Sequence, residues 1–128
     1  MKKSMFAKAA VAAAALVAIG AAQAEDTLKK IKDSGSVTMG VRESSGALAY
    51  TLGDGRYTGF HYDVCQKVLA DVQRQLGMAK LDIKYQPVTS QNRIPLVQNG
   101  TVDLECGSTT NNATRQKDVA FEIGRAHV

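Results

Sequence analysis

The stretch Leu81-Asp82-Ile83-Lys84-Tyr85-Gln86-Pro87-Val88-Thr89-Ser90-Gln91-Asn92-Arg93-Ile94-Pro95-Leu96-Val97-Gln98-Asn99-Gly100 holds one complete strand-to-helix unit. Residues 81–85 alternate apolar and polar side chains, the period of a half-buried strand. A helix is expected over 92–98, with Asn99-Gly100 as its stop. Ser90 or Asn92 could cap it, and Pro95 favours Asn92, because proline is tolerated only where its N–H would be unpaired. Either choice leaves Arg93 in the first turn. The unit then repeats. Val102–Cys106 reads as a strand, 107–112 as a polar loop, and the chain from Thr114 as a helix with Arg115 in its first turn. Repeated strand–helix order defines an α/β class with a mostly parallel sheet and flanking helices.

Both arginines sit where a helix disfavours them. A helix N-terminus carries partial positive charge and exposed N–H groups, so it prefers acids. A cation there needs an anion beside it, and the pattern points to a carboxylate or phosphate ligand.

Upstream, Asp26–Asp33 reads as a short helix stopped by Ser34-Gly35-Ser36, and Val37–Val41 as a strand. Arg42 to Gly46 is a polar loop. Ala47–Leu52 suggests a second extended segment, and Gly53-Asp54-Gly55 a turn. The glycines at 53, 55 and 59 do not have dinucleotide-loop spacing. Tyr62–Leu76 is the clearest helix, with Val64, Cys65, Val68, Leu69, Val72 and Leu76 as an apolar core stripe and Gly77 as its stop.

Residues 1–24 read as a secretory leader: Lys2, Lys3 and Lys8, an apolar run Ala9–Ala22, and the cleavage form Ala22-Gln23-Ala24. The run is too short to span a bilayer. Removing it takes away three Lys and no acid, so the formal net charge falls from +4 to +1. The basicity belongs mostly to the leader and argues for no nucleic-acid partner. About a hundred residues remain, enough for one small core. Export implies an oxidising compartment, where Cys65 and Cys106 could pair. Two buried thiols, or one of them paired to a cysteine that this chain lacks, are the alternatives, and without geometry the balance is against intramolecular pairing.

Three polar clusters follow predicted strands: Arg42 with Ser44 and Ser45, Ser90 with Arg93, and Ser108 with Thr110 and Arg115. Ligands of open α/β sheets bind beyond the carboxyl ends of strands, so the clusters converge if those strands are neighbours. Arginine's planar fork grips carboxylates with two hydrogen bonds, and three arginines imply more than one negative charge on the ligand. Taken singly, Arg42 could pair with Glu43, Ser90 could be only a cap, and Arg115 could be solvated. His61 and His127 lack the partners of a catalytic set. The two Cys and two His have no metal-ligand spacing, so no metal or cofactor is expected.

The blocks Gly40-Val41-Arg42-Glu43-Ser44-Ser45, Thr89-Ser90-Gln91-Asn92-Arg93-Ile94-Pro95-Leu96, Gln98-Asn99-Gly100, Glu105-Cys106-Gly107-Ser108-Thr109-Thr110-Asn111-Asn112 and Arg115-Gln116-Lys117 resemble the periplasmic amino-acid-binding proteins of ABC transporters, in their glutamate/aspartate branch. The resemblance covers essentially all of 26–121. It implies a two-lobed Venus-flytrap fold that closes on its ligand, of which this chain holds an incomplete first lobe over 25–122. It further implies that Arg42, Ser90 and Arg93 hold a side-chain carboxylate, and that Ser108, Thr110 and Arg115 hold the α-amino and α-carboxylate ends. The implied protein is a monomer, not an enzyme, working in the periplasm with an inner-membrane ABC permease and an acidic amino acid.

A dehydratase of cyclic acids on the same fold, or the sensory domain of a membrane receptor, are the competing classes. Glu122–Val128 back-translates as GAG ATC GGA AGA GCA CAC GTC, the start of a common sequencing adapter. Residues 123–128 are therefore expected to be a non-native tail, and the chain as written is expected to be marginally stable with weak or absent ligand binding.

Overall fold

A computed structural model describes residues 22–121. The expected tail over 123–128 and the expected leader, apart from its last three residues, lie outside that range. The helix α1 (Ala22–Ser34) starts at those last three residues and so runs further toward the N-terminus than the expected 26–33.

The central element is strand β1 (Ser36–Val41). It pairs in parallel with β4 (Asp82–Pro87) on one side and β5 (Leu104–Cys106) on the other, in the order β4-β1-β5. Val41 stands opposite both Pro87 and Cys106. The three strands thus end level, and the loops that leave them start from one sheet edge. The α/β class expected from the repeated units is the class observed.

Val37, Met39 and Val41 are the most deeply buried apolar side chains of β1 and pack with Ile31, Leu69 and Cys106. Gly40 serves close packing: a Cβ there would lie 2.9 Å from Val102 Cγ1 and 3.3 Å from Val88 Cγ1. Lys30 of α1 donates to Asp103 Oδ1 at 2.7 Å, and the Thr38 N–H donates to Asp103 Oδ2 at 2.9 Å. One buried carboxylate therefore ties α1, β1 and the approach to β5 together.

Helix α2 (Phe60–Gln75) lays Tyr62, Cys65, Leu69, Val72 and Leu76 toward the core. The expected stripe was broader. Val64 and Val68 are 43% and 38% exposed, because the three-stranded sheet reaches only the face carrying 62, 65, 69, 72 and 76. Gly77 ends the helix at φ +65°, as its left-handed freedom requires. Burial, and then the hydroxyl of Tyr85 at 3.0 Å, push the Tyr62 phenol up to about 12.

The second extended segment begins later than expected. Residues Gly46–Leu48 form a 3-10 turn, closed by Ser45 N–H to the Ala49 carbonyl at 2.8 Å. Only then does β2 (Tyr50–Gly53) pair antiparallel with β3 (Arg56–Thr58). The turn between them falls at 53–55 as expected, with all three residues at positive φ.

Helix α3 (Arg93–Gln98) has Asn92 as its N-cap residue. The Asn92 side chain does not cap the helix but accepts the Thr89 N–H at 2.7 Å. The helix expected from Thr114 is only a 3-10 turn, Arg115–Lys117. Asn112 Oδ1 takes the Arg115 N–H at 3.0 Å, and Asn111 Oδ1 takes Gln116 Nε2 at 2.7 Å. The backbone makes single helical bonds there, Gln116 N–H to the Asn112 carbonyl and Val119 N–H to the Arg115 carbonyl, both at 3.0 Å, without extending them into a helix.

Cys65 and Cys106 are joined in a disulfide, against the balance of the sequence reading. The start of α2 lies over the end of β5 and brings their Cα atoms to 6.3 Å, within bonding range. The bridge closes a loop across 41 positions. Loop-closure entropy then predicts that Cys65→Ala with Cys106→Ala lowers unfolding free energy by about 3–4 kcal/mol. Urea unfolding of the oxidised chain against the double variant measures this, and coincident midpoints would refute it.

Candidate anion-binding site

Each expected cluster leaves the sheet at the edge where the strands end level. Arg42 follows Val41 directly. Its Nε donates to Ser45 Oγ at 3.0 Å and its Nη1 to the Val88 carbonyl at 3.1 Å. It is therefore anchored across the edge and not paired with Glu43. Ser45 Oγ in turn shares a hydrogen bond of 3.1 Å with Ser108 Oγ, which joins the β1 loop to the β5 loop. Ser44 is exposed and forms an isolated antiparallel backbone bridge with Tyr50.

Arg93 occupies the first position of α3 and is only 7% exposed. Its Nε and Nη1 are buried without a hydrogen-bond partner. Burial pushes its guanidinium below the usual arginine range; the nearby Glu105 carboxylate opposes that, while Arg42 and Arg115 reinforce it. Arg42 and Arg115 therefore both act on Arg93 at this edge. Glu105 makes no ion pair with Arg93: the ion pairs described join Lys29 to Asp33, Lys30 to Asp103 and Arg74 to Asp71. The buried guanidinium is left with a field from one carboxylate and repulsion from two cations, a costly arrangement.

Arg115 is half-buried, and its Nη1 donates to the Thr110 carbonyl at 2.9 Å, which folds the 107–115 loop on itself. Ser90 and Thr110 are exposed at the same edge. The structure thus links Arg42, Ser45 and Ser108 by direct bonds, couples Arg93 to Arg42 and Arg115 electrostatically, and leaves Ser90 and the Thr110 hydroxyl on the rim.

Three further residues shape the edge. Gly107 is buried, and a Cβ there would overlap Arg42 Cγ and Glu105 Oε1. His61 Nδ1–H donates to the Gly107 carbonyl and fastens the start of α2 to the same loop. Glu105 accepts Thr109 Oγ1 on Oε2 at 2.7 Å, while its Oε1 is buried without a partner. A carboxylate between Leu104 and Cys106 of a strand that reads as core was the available signal for Glu105. His61 and Gly107 gave none.

A parallel α/β sheet thus presents three arginines at its strand ends, and two buried nitrogens of one of them, Arg93, have no hydrogen-bond partner. Residues 37–124 match the model of the bacterial extracellular solute-binding proteins, family 3, and the chain belongs to that family. It is 47% identical over 123 residues to the L-glutamate/L-aspartate-binding protein of Pseudomonas aeruginosa, covering 94% of this chain and 40% of that protein. It is 45% identical over 119 residues to the glutamate/aspartate import solute-binding protein of Escherichia coli K12, covering 88% and 39%. The chain thus spans about 40% of the length of the curated relatives it matches.

Among solved structures, an ancestral cationic amino acid solute binding protein superposes with TM-score 0.58 at 28% identity, over 71% of this chain and 37% of that one. An ancestral cyclohexadienyl dehydratase does so with TM-score 0.57 at 27% identity, over 70% and 34%.

A buried cation kept without a partner is a stability cost held for function. Arg93→Met, close in volume and apolar, is expected to raise unfolding free energy by about 1–3 kcal/mol. Urea titration at low ionic strength reads the difference, and a less stable variant would show that the guanidinium is satisfied in the folded chain.

Proposed function

We propose that this chain carries the first-lobe wall of a periplasmic solute-binding protein that captures an acidic amino acid, glutamate or aspartate, for an inner-membrane ABC permease. The observation that carries this reading is Arg93, buried with Nε and Nη1 unpartnered and felt by Arg42 and Arg115, where three parallel strands end level. The names of the two similar proteins, both glutamate/aspartate-binding, support the same ligand class.

In this reading Arg42, Ser90 and Arg93 receive the side-chain carboxylate, and Ser108, Thr110 and Arg115 the α-amino and α-carboxylate groups. A second lobe closes over the ligand, as the share of the relatives' length spanned here suggests. Residues 1–24 act as the leader, cleaved after Ala24, and 25–122 form the lobe segment of a monomer. In this reading the protein is a carrier and not an enzyme, which the names of the two similar proteins, both solute-binding, support.

Selectivity follows from charge. A neutral amino acid would leave Arg42 and Arg93 desolvated with no counter-charge, a penalty of about 2–4 kcal/mol. The test is an NMR titration of the full 128-residue chain, following the arginine Nε–Hε signals at low ionic strength. Ligands are L-glutamate, L-aspartate and L-glutamine up to about 20 mM, enough to saturate a site with Kd near ~1 mM. The Arg42 and Arg93 signals are expected to move with the two acids and not with glutamine. An equal response to glutamine, or no response to the acids, would overturn the reading.

A further inference from the structure

Glu105 is a charged group that the carboxylate-binding scheme does not use. It stands in the middle of β5, between Leu104 and Cys106. Its position is held on two sides: Thr109 Oγ1 fixes Oε2, and the Oε1 end lies against the Gly107 backbone beside Arg42 Cγ. That Oε1 is buried without a hydrogen-bond partner, like Nε and Nη1 of Arg93. An anionic side chain is thus built into the wall of a site whose other charged groups are arginines. For a receptor that needed only to bind anions, it would be counterproductive.

We infer that Glu105 sets the charge class of the ligand, making the site prefer an amino-dicarboxylate over a dicarboxylate that lacks the ammonium group. This rests on the proposed acidic-amino-acid reading. L-Glutamate and glutarate carry the same two carboxylates on the same carbon chain, and only glutamate has the ammonium. Their net charges near neutral pH are −1 and −2. A fixed negative charge in the wall repels glutarate's two carboxylates without compensation. In glutamate the ammonium offsets part of that repulsion. Coulomb interactions in a partly desolvated site are large enough for this to matter at the spacing of neighbouring side chains. Glu105 does so without touching the ligand, through its field on Arg93 and the strand-end edge, so it is a specificity-determining residue and not a ligand contact.

Glu105→Gln tests this, because it removes the charge and keeps an oxygen for Thr109. Arginine Nε–Hε titrations of the full chain with L-glutamate and with glutarate give both affinities. The wild type is expected to prefer glutamate. In E105Q the glutarate affinity should rise far more than the glutamate affinity, shifting their ratio by about tenfold. Glu105→Asp, which keeps the charge, should retain the preference. A purely structural role would change both affinities together and leave the ratio fixed, and that result in folded E105Q overturns the inference.

Should E105Q fail to fold, Thr109→Val releases the carboxylate from its fixed position. The ratio should then fall at least about twofold, and an unchanged ratio overturns the inference equally. A wild-type chain whose arginine signals answer neither ligand would sink the acidic-amino-acid reading itself. Normal glutamate binding with an unaltered ratio would sink only the role given to Glu105.

Discussion

The parallel pairing of β1 with both β4 and β5 is the constraint on which the site depends. Because Val41 lies opposite Pro87 and Cys106 at once, the next residues of all three chains leave the sheet at the same height. Arg42, the Thr89–Arg93 turn and the Ser108–Arg115 loop then face a common space without any long-range instruction of their own. A slip of one residue in either pairing would move a whole ligand-bearing loop and turn its strand's side chains to the opposite faces. The register is protected by burial: Val37, Met39 and Val41 are almost wholly enclosed, so a slip would drive their apolar surface into water.

The cations gathered at this edge repel one another, and other parts of the chain must hold the edge together. The Lys30–Asp103 pair with the Thr38 N–H anchors the approach to β5 from the far end of the strands. The Cys65–Cys106 disulfide clamps the near end of β5 to α2. His61 adds a bond from α2 to the Gly107 carbonyl, one residue beyond the bridge. Together these fasten the strand that leads into the Ser108–Arg115 loop at both of its ends. The loop itself is exposed over most of its length and relies on internal bonds such as Arg115 to the Thr110 carbonyl.

The sheet, α2 and the turn at 53–55 were legible because each rests on a local period or a local backbone demand. The alternation at 81–85 and the turn glycines need no knowledge of distant residues. The elements that misled depend on what lies opposite them. Six apolar positions on α2 were visible, but only the width of a three-stranded sheet decides that Val64 and Val68 stay outside. The Asn111–Thr114 run reads as a helix start, and the structure does make a capped turn there, but it stops after the 3-10 turn Arg115–Lys117. The disulfide required the crossing of α2 over β5, which no spacing of cysteines reports.

The same division runs through the site. Arg42, Arg93 and Arg115 stood out because a cation in the turn after a strand is locally anomalous, and the anomaly survives any packing. Glu105 did not stand out, because its meaning comes from a guanidinium twelve positions away that reaches the same edge from a different strand. An arginine buried at 7% exposure with unpaired nitrogens is unfavourable, and the Glu105 carboxylate offsets its burial only in part. The local sequence therefore records the demand for an anion, while the long-range fold, through Glu105, sets how much negative charge that anion should bring.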